Sequence, residues 1–326
     1  MTEYKLFDRR YELEVNDGKE ARVWTDLNVG FKITKTNEAT PNEMELTFYN
    51  LGPDSRAFIY RKNLNVILKA GYRDSMGLVF RGNIEFINHE KQGTDWISRI
   101  YCKDGGAALR TLTIQKTFAK GTPLTRVIED LIKKLGELPP GLAGQLQQIN
   151  QLAQREIDVQ GFKPKKPPVK QKKKTKAQPP QQSEAQQRDE YLKKKEDQRQ
   201  KADDTKLQKA LVLRGSAIEK LKILCETLGL VCHVTDQSLS VYPAGLAEST
   251  RVIDLDVSSG LIGSPERTEN GGWKVMSLLR HELNPGMLVS VGSLYLDDVL
   301  LVQRVEHTGE RSSGPWFSEI FCTEYQ

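Results

Sequence analysis

Two short stretches near the N-terminus, VGFKI at residues 29–33 and MELTF at residues 44–48, decide the interpretation of the fold. In both, apolar side chains alternate with glycine, lysine, glutamate or threonine. Because successive side chains of a β-strand point to opposite faces, this alternation predicts two strands that each bury one face. The turn-forming residues Thr40-Pro41-Asn42 lie between them and predict a reversal of the chain.

The same alternation continues through residues 1–118. Further sets of residues each share one predicted strand face: Leu64, Val66, Leu68 and Ala70; Leu78, Phe80, Ile84 and Phe86; Trp96, Ser98, Ile100 and Cys102. A short helical turn is predicted at residues 53–60, after Gly52. Short strands with one apolar face must close on themselves to bury it, so we predict a small N-terminal β-barrel.

The hydrophobic period changes to that of a helix after residue 118. Apolar residues recur at intervals of three and four from Leu124 to Leu135, with Thr122 at the N-cap position and Pro123 at the first helical position. A second helix is predicted from Ser216, with Glu219 completing a capping box. A hairpin follows at residues 230–242, so residues 119–250 are predicted to form an α/β module.

A segment rich in lysine, proline and glutamine, residues 137–210, interrupts this module. It contains eight lysines and no acid within fourteen residues, and these are the candidate partner-contact residues: Lys163, Lys165, Lys166, Lys170, Lys172, Lys173, Lys174 and Lys176. The composition predicts a solvated linker or inter-subunit strap, and leaves open contact with an acidic protein surface or with nucleic acid. Nucleic acid is the least favoured, because Phe162 is the only aromatic residue nearby that could stack on a base.

Strand patterns return in residues 251–326, in five segments separated by turns such as Asn284-Pro285-Gly286. A second small β-barrel is the simplest interpretation. The predicted fold is therefore mainly β with an α/β module: two small β-barrels flank a helix-plus-hairpin domain that carries the insertion. The predicted domains are residues 1–118, 119–250 and 251–326.

The sequence contains no complete motif for catalysis, a cofactor or a metal. His281-Glu282 begins like the zinc-protease pattern H-E-x-x-H, but Pro285 occupies the position of the second histidine. No phosphate-binding glycine loop or nucleophile elbow occurs, and the four cysteines form no C-x-x-C pair. We therefore predict no catalytic residue, no cofactor and no metal, and that the chain is not an enzyme.

The distribution of charge and hydropathy limits the cellular setting. The formal net charge of +5 comes from the lysine run, because subtracting its eight charges leaves about −3 for the rest. No stretch of about 18 apolar residues suggests a membrane helix, and the N-terminus lacks the apolar core of a signal peptide. The sequence thus predicts a protein made in the cytoplasm, with no membrane segment.

Several of these segments resemble the central baseplate hub proteins of contractile-tail bacteriophages, of the late-control-D and VgrG-like family. The resemblance is carried by FKITKT at 31–36 with PNEMELTFYNL at 41–51, LKAGY at 68–72 with VFRGNI at 79–84, and LNPGM at 283–287. The approach to the first helix, KTF at 116–118 and GTP at 121–123, is similar too. The likeness covers nearly the whole chain except residues 137–210.

The resemblance implies a non-enzymatic homotrimer in which two barrels per subunit build a ring of pseudo-sixfold symmetry. Such a ring joins a sixfold tail tube to a threefold central spike in the baseplate of a virion tail assembled in the host bacterial cytoplasm. The implied partners are other copies of the chain, the tube and spike proteins, and wedge or tape-measure proteins. Two alternatives stay open from the residues: a tail-associated peptidoglycan hydrolase, and a basic nucleic-acid-binding β-barrel adaptor.

Overall fold

The computed structural model describes residues 8–38, 41–105, 112–135, 207 and 209–325, and all statements on structure refer to these residues. The fold is mainly β, with a large antiparallel sheet. The lysine run at 163–176 lies outside the described residues, as does nearly all of the predicted insertion.

The N-terminal unit contains seven strands and one short helix. The strands are β1 (Arg9–Asn16), β2 (Ala21–Trp24), β3 (Val29–Thr36), β4 (Glu43–Tyr49), β5 (Asn65–Tyr72), β6 (Ser75–Gln92) and β7 (Asp95–Lys103), and helix α1 is Pro53–Ile59. They pair in the order β3-β4-β7-β6-β5-β1-β2. Leu13 of β1 and Ile33 of β3 stand far apart along this path yet belong to one buried cluster, so the sheet curls around a single core. The strands predicted at 29–33 and 44–48 and the helical turn at 53–60 are confirmed.

One predicted face in this unit is wrong. Phe86 was placed with Leu78, Phe80 and Ile84, but it is exposed and stacks on Tyr101, with 4.1 Å between the ring centroids. The register of β6 against β7 shifts between Ile84 and Phe86. Because one extra residue reverses the side-chain alternation, this β-bulge turns Phe86 to the outer face.

The α/β module is built from both sides of the insertion. It contains β8 (Thr113–Phe118), α2 (Leu124–Leu135), β9 (Leu211–Ser216), α3 (Ala217–Thr227), β10 (Leu230–Thr235) and β11 (Ser238–Pro243). β8 pairs with β9 and β10 pairs with β11, both antiparallel. The two helices, the β8–β9 strand pair and the β10–β11 hairpin share one core, which includes Leu131 and Leu221. The predicted helices and hairpin are confirmed.

The sequence predicts an N-terminal cap for each of the two helices of the module. Ser216 Oγ accepts from the Glu219 N–H, as the capping box predicts. The helix after Pro123 begins at Leu124, and the Thr122 hydroxyl donates to the carbonyl of Ala119 at 2.8 Å. The N-cap role of Thr122 stays a prediction, because a hydroxyl that donates one hydrogen bond can still accept another.

The C-terminal unit contains β12 (Val252–Leu255), β13 (Leu261–Arg267), β14 (Trp273–Leu278), β15 (Leu288–Gly292), β16 (Asp297–Glu310) and β17 (Trp316–Glu324). Its strands surround a third core, which includes Val275, Val291 and Ile320. β12 runs parallel to β15, and the other pairs in this unit are antiparallel.

A single strand pairing joins the N-terminal and C-terminal units into one sheet. Residues 304–310 of β16 pair with residues 30–36 of β3, while the start of β16 pairs with β15. Trp316 packs edge-on against Phe31, with 5.4 Å between the ring centroids, and belongs to the N-terminal core. The sequence interpretation did not include this connection. The division into three domains stays a prediction, although each segment has its own core.

Candidate assembly site

The three units meet at a buried lysine, Lys35. Along β3 the side chains of Val29, Phe31, Ile33 and Lys35 point inward, so the lysine follows three apolar residues into the interior. Its ammonium group lies 2.7 Å from Asp236 Oδ2 and 2.9 Å from Asn284 Oδ1. Lys35 therefore ties the N-terminal unit both to the β10–β11 turn and to the C-terminal unit.

A second carboxylate, that of Asp104, accepts hydrogen bonds from the backbone of the same turn. The turn residues Asp236 and Gln237 have φ values of 52° and 65°, and their N–H groups donate to Asp104 at 2.6 and 2.8 Å. The Asn42 amide also donates to Asp104 and to the carbonyl of Val234. Burial, and then the nearby Asp236 charge, raise the pKa of Asp104 to about 6, against the opposing effect of the Gln237 and Gly105 N–H groups and of the Lys35 charge.

The four histidines do not converge. His233 of β10 and His307 of β16 are buried, and burial lowers the pKa of His233 to about 4 and that of His307 to about 3. His281 packs so tightly over Gly77 that a Cβ at residue 77 would overlap its ring. Within the described ranges, no group of three or more His, Cys, Asp or Glu side chains is arranged to hold a metal ion.

These two buried histidines make a prediction about acid stability. Their folded pKa values lie below the usual 6.5, so the unfolded state binds more protons between pH 6.5 and 4. Stability is therefore full above pH 6.5 and falls on acidification, by about 2 kcal/mol per histidine at pH 5. We expect His307→Gln to flatten the dependence of the unfolding free energy on pH, measured by denaturant titration between pH 5 and 7.5.

The raised pKa of Asp104 has the opposite effect on the pH dependence of stability, so the experiment needs a control variant at another histidine. Its raised pKa lets the folded state hold a proton up to about pH 6, so its own contribution to stability falls as pH rises from 4 to 6. His89, which is partly exposed and bonded to Ser98, supplies the matched variant His89→Gln. If both His307→Gln and His89→Gln leave the pH dependence of the unfolding free energy unchanged, buried His307 is not a source of the acid sensitivity.

An exposed apolar end marks the C-terminal unit. The parallel register places Leu255 of β12 beside Val291 of β15, so the turns that follow both strands lie at the same end of the sheet. These turns expose Val257, Leu294 and Tyr295, whose exposed fractions are 85, 96 and 75%. We call these three residues the tip. Large apolar side chains exposed together are typical of protein contact surfaces.

Asp297 and Asp298 follow the hairpin turn beside this tip and are not part of it. They are the first residues of β16, paired with Gly292 and Val291 of β15. The turn itself is Ser293–Leu296, closed by the backbone bond from Ser293 to Leu296 and by the Ser293 hydroxyl, which accepts from the Leu296 N–H. Ser293, and neither of the two aspartates, is therefore the residue that organises the turn.

Aromatic side chains form a second exposed group on the N-terminal unit. Arg56 of α1 lies over the Trp96 ring at 4.6 Å, and Tyr60 packs edge-on against His89 at 5.0 Å. Tryptophan, tyrosine and arginine are the residues enriched at the centres of protein interfaces. Trp96 was predicted on the strand face of Ser98, Ile100 and Cys102, but it is 38% exposed. The sequence pattern did not indicate Arg56 or Tyr60.

The candidate partner-contact lysines, Lys163 to Lys176, lie outside the described residues, so their role stays a prediction. Within the described ranges no helix is long and apolar enough to cross a membrane.

Comparison with known proteins gives a match in structure but none in sequence. No protein family model and no curated protein matches the chain. A tail protein from Neisseria meningitidis MC58 is similar in structure, with a TM-score of 0.54 at 10% identity over 96% of both chains. The 43 kDa tail protein of prophage MuSo2 from Shewanella oneidensis has a TM-score of 0.53 at 11% identity, over 97% of this chain and 98% of its own.

The third similar structure is the E. coli c3393 protein, described as a component of the type VI secretion system with structural similarity to the T4 bacteriophage tail proteins gp27 and gp5. It has a TM-score of 0.54 at 11% identity, over 96% of this chain and 77% of its own. The chain therefore has a fold found in phage tail proteins. The structural similarity to the Neisseria and Shewanella tail proteins extends over nearly the full length of this chain.

Proposed function

We propose that this chain is a structural subunit of a phage or phage-like tail, and that it forms a trimeric hub ring in the baseplate. The ring would join a sixfold tail tube to a threefold central spike. The observation that carries the proposal is the end-to-end likeness of fold to two tail proteins, which spans both chains almost completely. The resemblance of residues 31–36, 41–51 and 68–72 to hub proteins supports the same role.

The architecture suits a ring subunit. Two β units, each with its own core, are joined through β3 and β16, and a threefold ring of such subunits presents six β units in a circle. The role requires no catalytic residue or cofactor. The partners proposed are other copies of the chain, tube and spike proteins, and wedge or tape-measure proteins. The site proposed is the baseplate of a virion tail assembled in the host bacterial cytoplasm.

The lysines from Lys163 to Lys176 are proposed as a contact with a partner in the assembled tail. Eight positive charges within fourteen residues favour an acidic protein surface over a buried position.

The mass of the purified full-length chain tests the proposal. We expect light scattering at high protein concentration to give three times the 36.9 kDa mass of the chain. Electron microscopy of the same sample should show threefold rings with six similar lobes. A chain that stays a dimer, or a trimer that forms no ring, would contradict a hub that assembles by itself.

A further inference from the structure

We infer that the tip of one copy, Val257, Leu294 and Tyr295, binds the α/β module of a second copy in a head-to-tail contact. This inference rests on the proposed function and names the surfaces that would close the ring. It is argued from the exposure of the tip, from the way its turns are held, and from the charges of the three units.

The tip presents its side chains on rigid turns. Asp256 accepts from the Ser259 N–H at 2.7 Å and its own N–H donates to the Ser259 hydroxyl at 2.8 Å, which closes the turn around Val257. The Ser293 hydroxyl closes the turn around Leu294 in the same way. Ordered turns lose little conformational entropy on binding, so these exposed side chains are suited to contact.

Negative charge surrounds the tip. Three aspartates lie on strands at this end of the unit, close to the exposed side chains: Asp254, Asp297 and Asp298. In residues 244–325 there are six lysine or arginine residues and twelve acids, a formal charge of −6. A partner surface for the tip must therefore combine apolar and basic side chains.

The charges of the other two units select the module as that partner. The described residues of the module contain nine lysine or arginine residues and five acids, a formal charge of +4. The described N-terminal unit contains fifteen of each and is neutral. Attraction between the C-terminal unit of one copy and the module of another is the strongest pairing that these charges allow.

The outer face of the β8–β9 strand pair is complementary to the tip in chemistry. Val212 is 52% exposed and Arg214 stands two residues further along the same face of β9. Their cross-strand partners, Thr117 and Gln115, are exposed as well. This face offers an apolar side chain beside a cation. Because the tip and the β8–β9 strand pair are different surfaces, their contact is heterologous, and it closes a threefold ring when successive copies are related by a rotation of about 120°.

Paired variants of the full-length chain test the inference through the self-association constant. We expect Leu294→Ser with Tyr295→Ser to weaken self-association at least tenfold, and Asp254→Lys with Asp297→Lys to do the same. Lys209 is exposed and lies two residues before β9. Adding Lys209→Glu and Arg214→Glu to the charge variant should restore the constant to within threefold of wild type, because the two surfaces again carry opposite charges. Measurements use sedimentation equilibrium at about 100 mM salt, where surface attraction is still felt.

The controls make the same chemical changes on the neutral unit. Val23→Ser with Phe86→Ser removes two exposed apolar side chains, and Asp26→Lys with Asp74→Lys reverses two exposed acids. Both should stay within twofold of wild type. If the wild-type chain associates and the tip variants associate equally well, the inference is overturned and the hub proposal stands. If the wild-type chain does not associate at all, both are overturned.

Discussion

Replacing Lys35 with methionine should lower the free energy of unfolding by about 3–5 kcal/mol, the usual cost of breaking a buried ion pair. Lys35 is fully buried, and Asp236 and Asp104 face it from the β10–β11 turn and the end of β7. Removing the cation leaves two carboxylates close together without a positive charge. Denaturant titration of the full-length chain gives the measurement.

The dependence of this loss on pH separates the charge from the packing. Without Lys35, the pKa of Asp104 should rise further above its wild-type value of about 6. The variant therefore gains stability relative to wild type as pH falls from 8 to 5, because the folded state then holds a proton that neutralises one carboxylate. A loss that is equal at both pH values would show that the effect comes from packing alone.

Two further variants complete the Lys35 experiment. Adding Asp236→Asn to Lys35→Met removes one of the two opposed carboxylates, so the double variant should be more stable than the single one. Asparagine also tolerates the positive φ of residue 236. The matched surface control is Lys116→Met, which breaks an exposed pair with Asp130 and should cost about 0–1 kcal/mol.

The second large effect is expected at Gly309, where the two β units join. Gly309 of β16 pairs with Phe31 of β3, and the Phe31 ring lies over the glycine so closely that any Cβ would overlap it. We expect Gly309→Ala to cost about 1–3 kcal/mol by overpacking. The loss of stability should be greatest where β3 pairs with β16. Amide hydrogen exchange should therefore become faster in residues 30–36 and 304–310 than in the module.

Gly30 provides the control in the same β3–β16 pairing. It lies opposite Glu310, one pair away from Phe31, and an added Cβ would meet its nearest atoms at 3.9 Å, an ordinary contact distance. Gly30→Ala should therefore leave the unfolding free energy within about 1 kcal/mol of wild type. Equal losses in the two alanine variants would mean that the Phe31 ring does not determine the cost.

The elements that could be predicted are those encoded by local patterns. The alternation at 29–33 and 44–48 predicted β3 and β4, and the spacing from Leu124 to Leu135 predicted α2, because each depends only on the geometry of a single strand or helix. The turn at Asp236 and Gln237 was predicted in the same way, from residues that favour a reversal of the chain.

The candidate site was harder to predict because its partners are distant in sequence. Lys35 shares the inward positions of β3 with Val29, Phe31 and Ile33. The alternation of apolar residues along the strand could therefore have indicated that its charge is buried. Its partner Asp236 lies 201 residues further along the chain, and no local pattern connects the two. The tip was missed for a similar reason, since the turns that carry Val257 and Leu294 are brought to the same end of the sheet only by the parallel pairing of β12 with β15.

The sequence by itself determined that the chain is mainly β, that an α/β module stands between two β regions, and where most strands and helices lie. Only the tertiary structure decided that β3 pairs with β16, that Trp316 packs in the N-terminal core, and that a bulge turns Phe86 outward. The physical reason is the range of the interactions. Side-chain alternation follows from the backbone of one strand, whereas pairing between strands about 270 residues apart depends on shape and hydrogen bonding of the assembled fold.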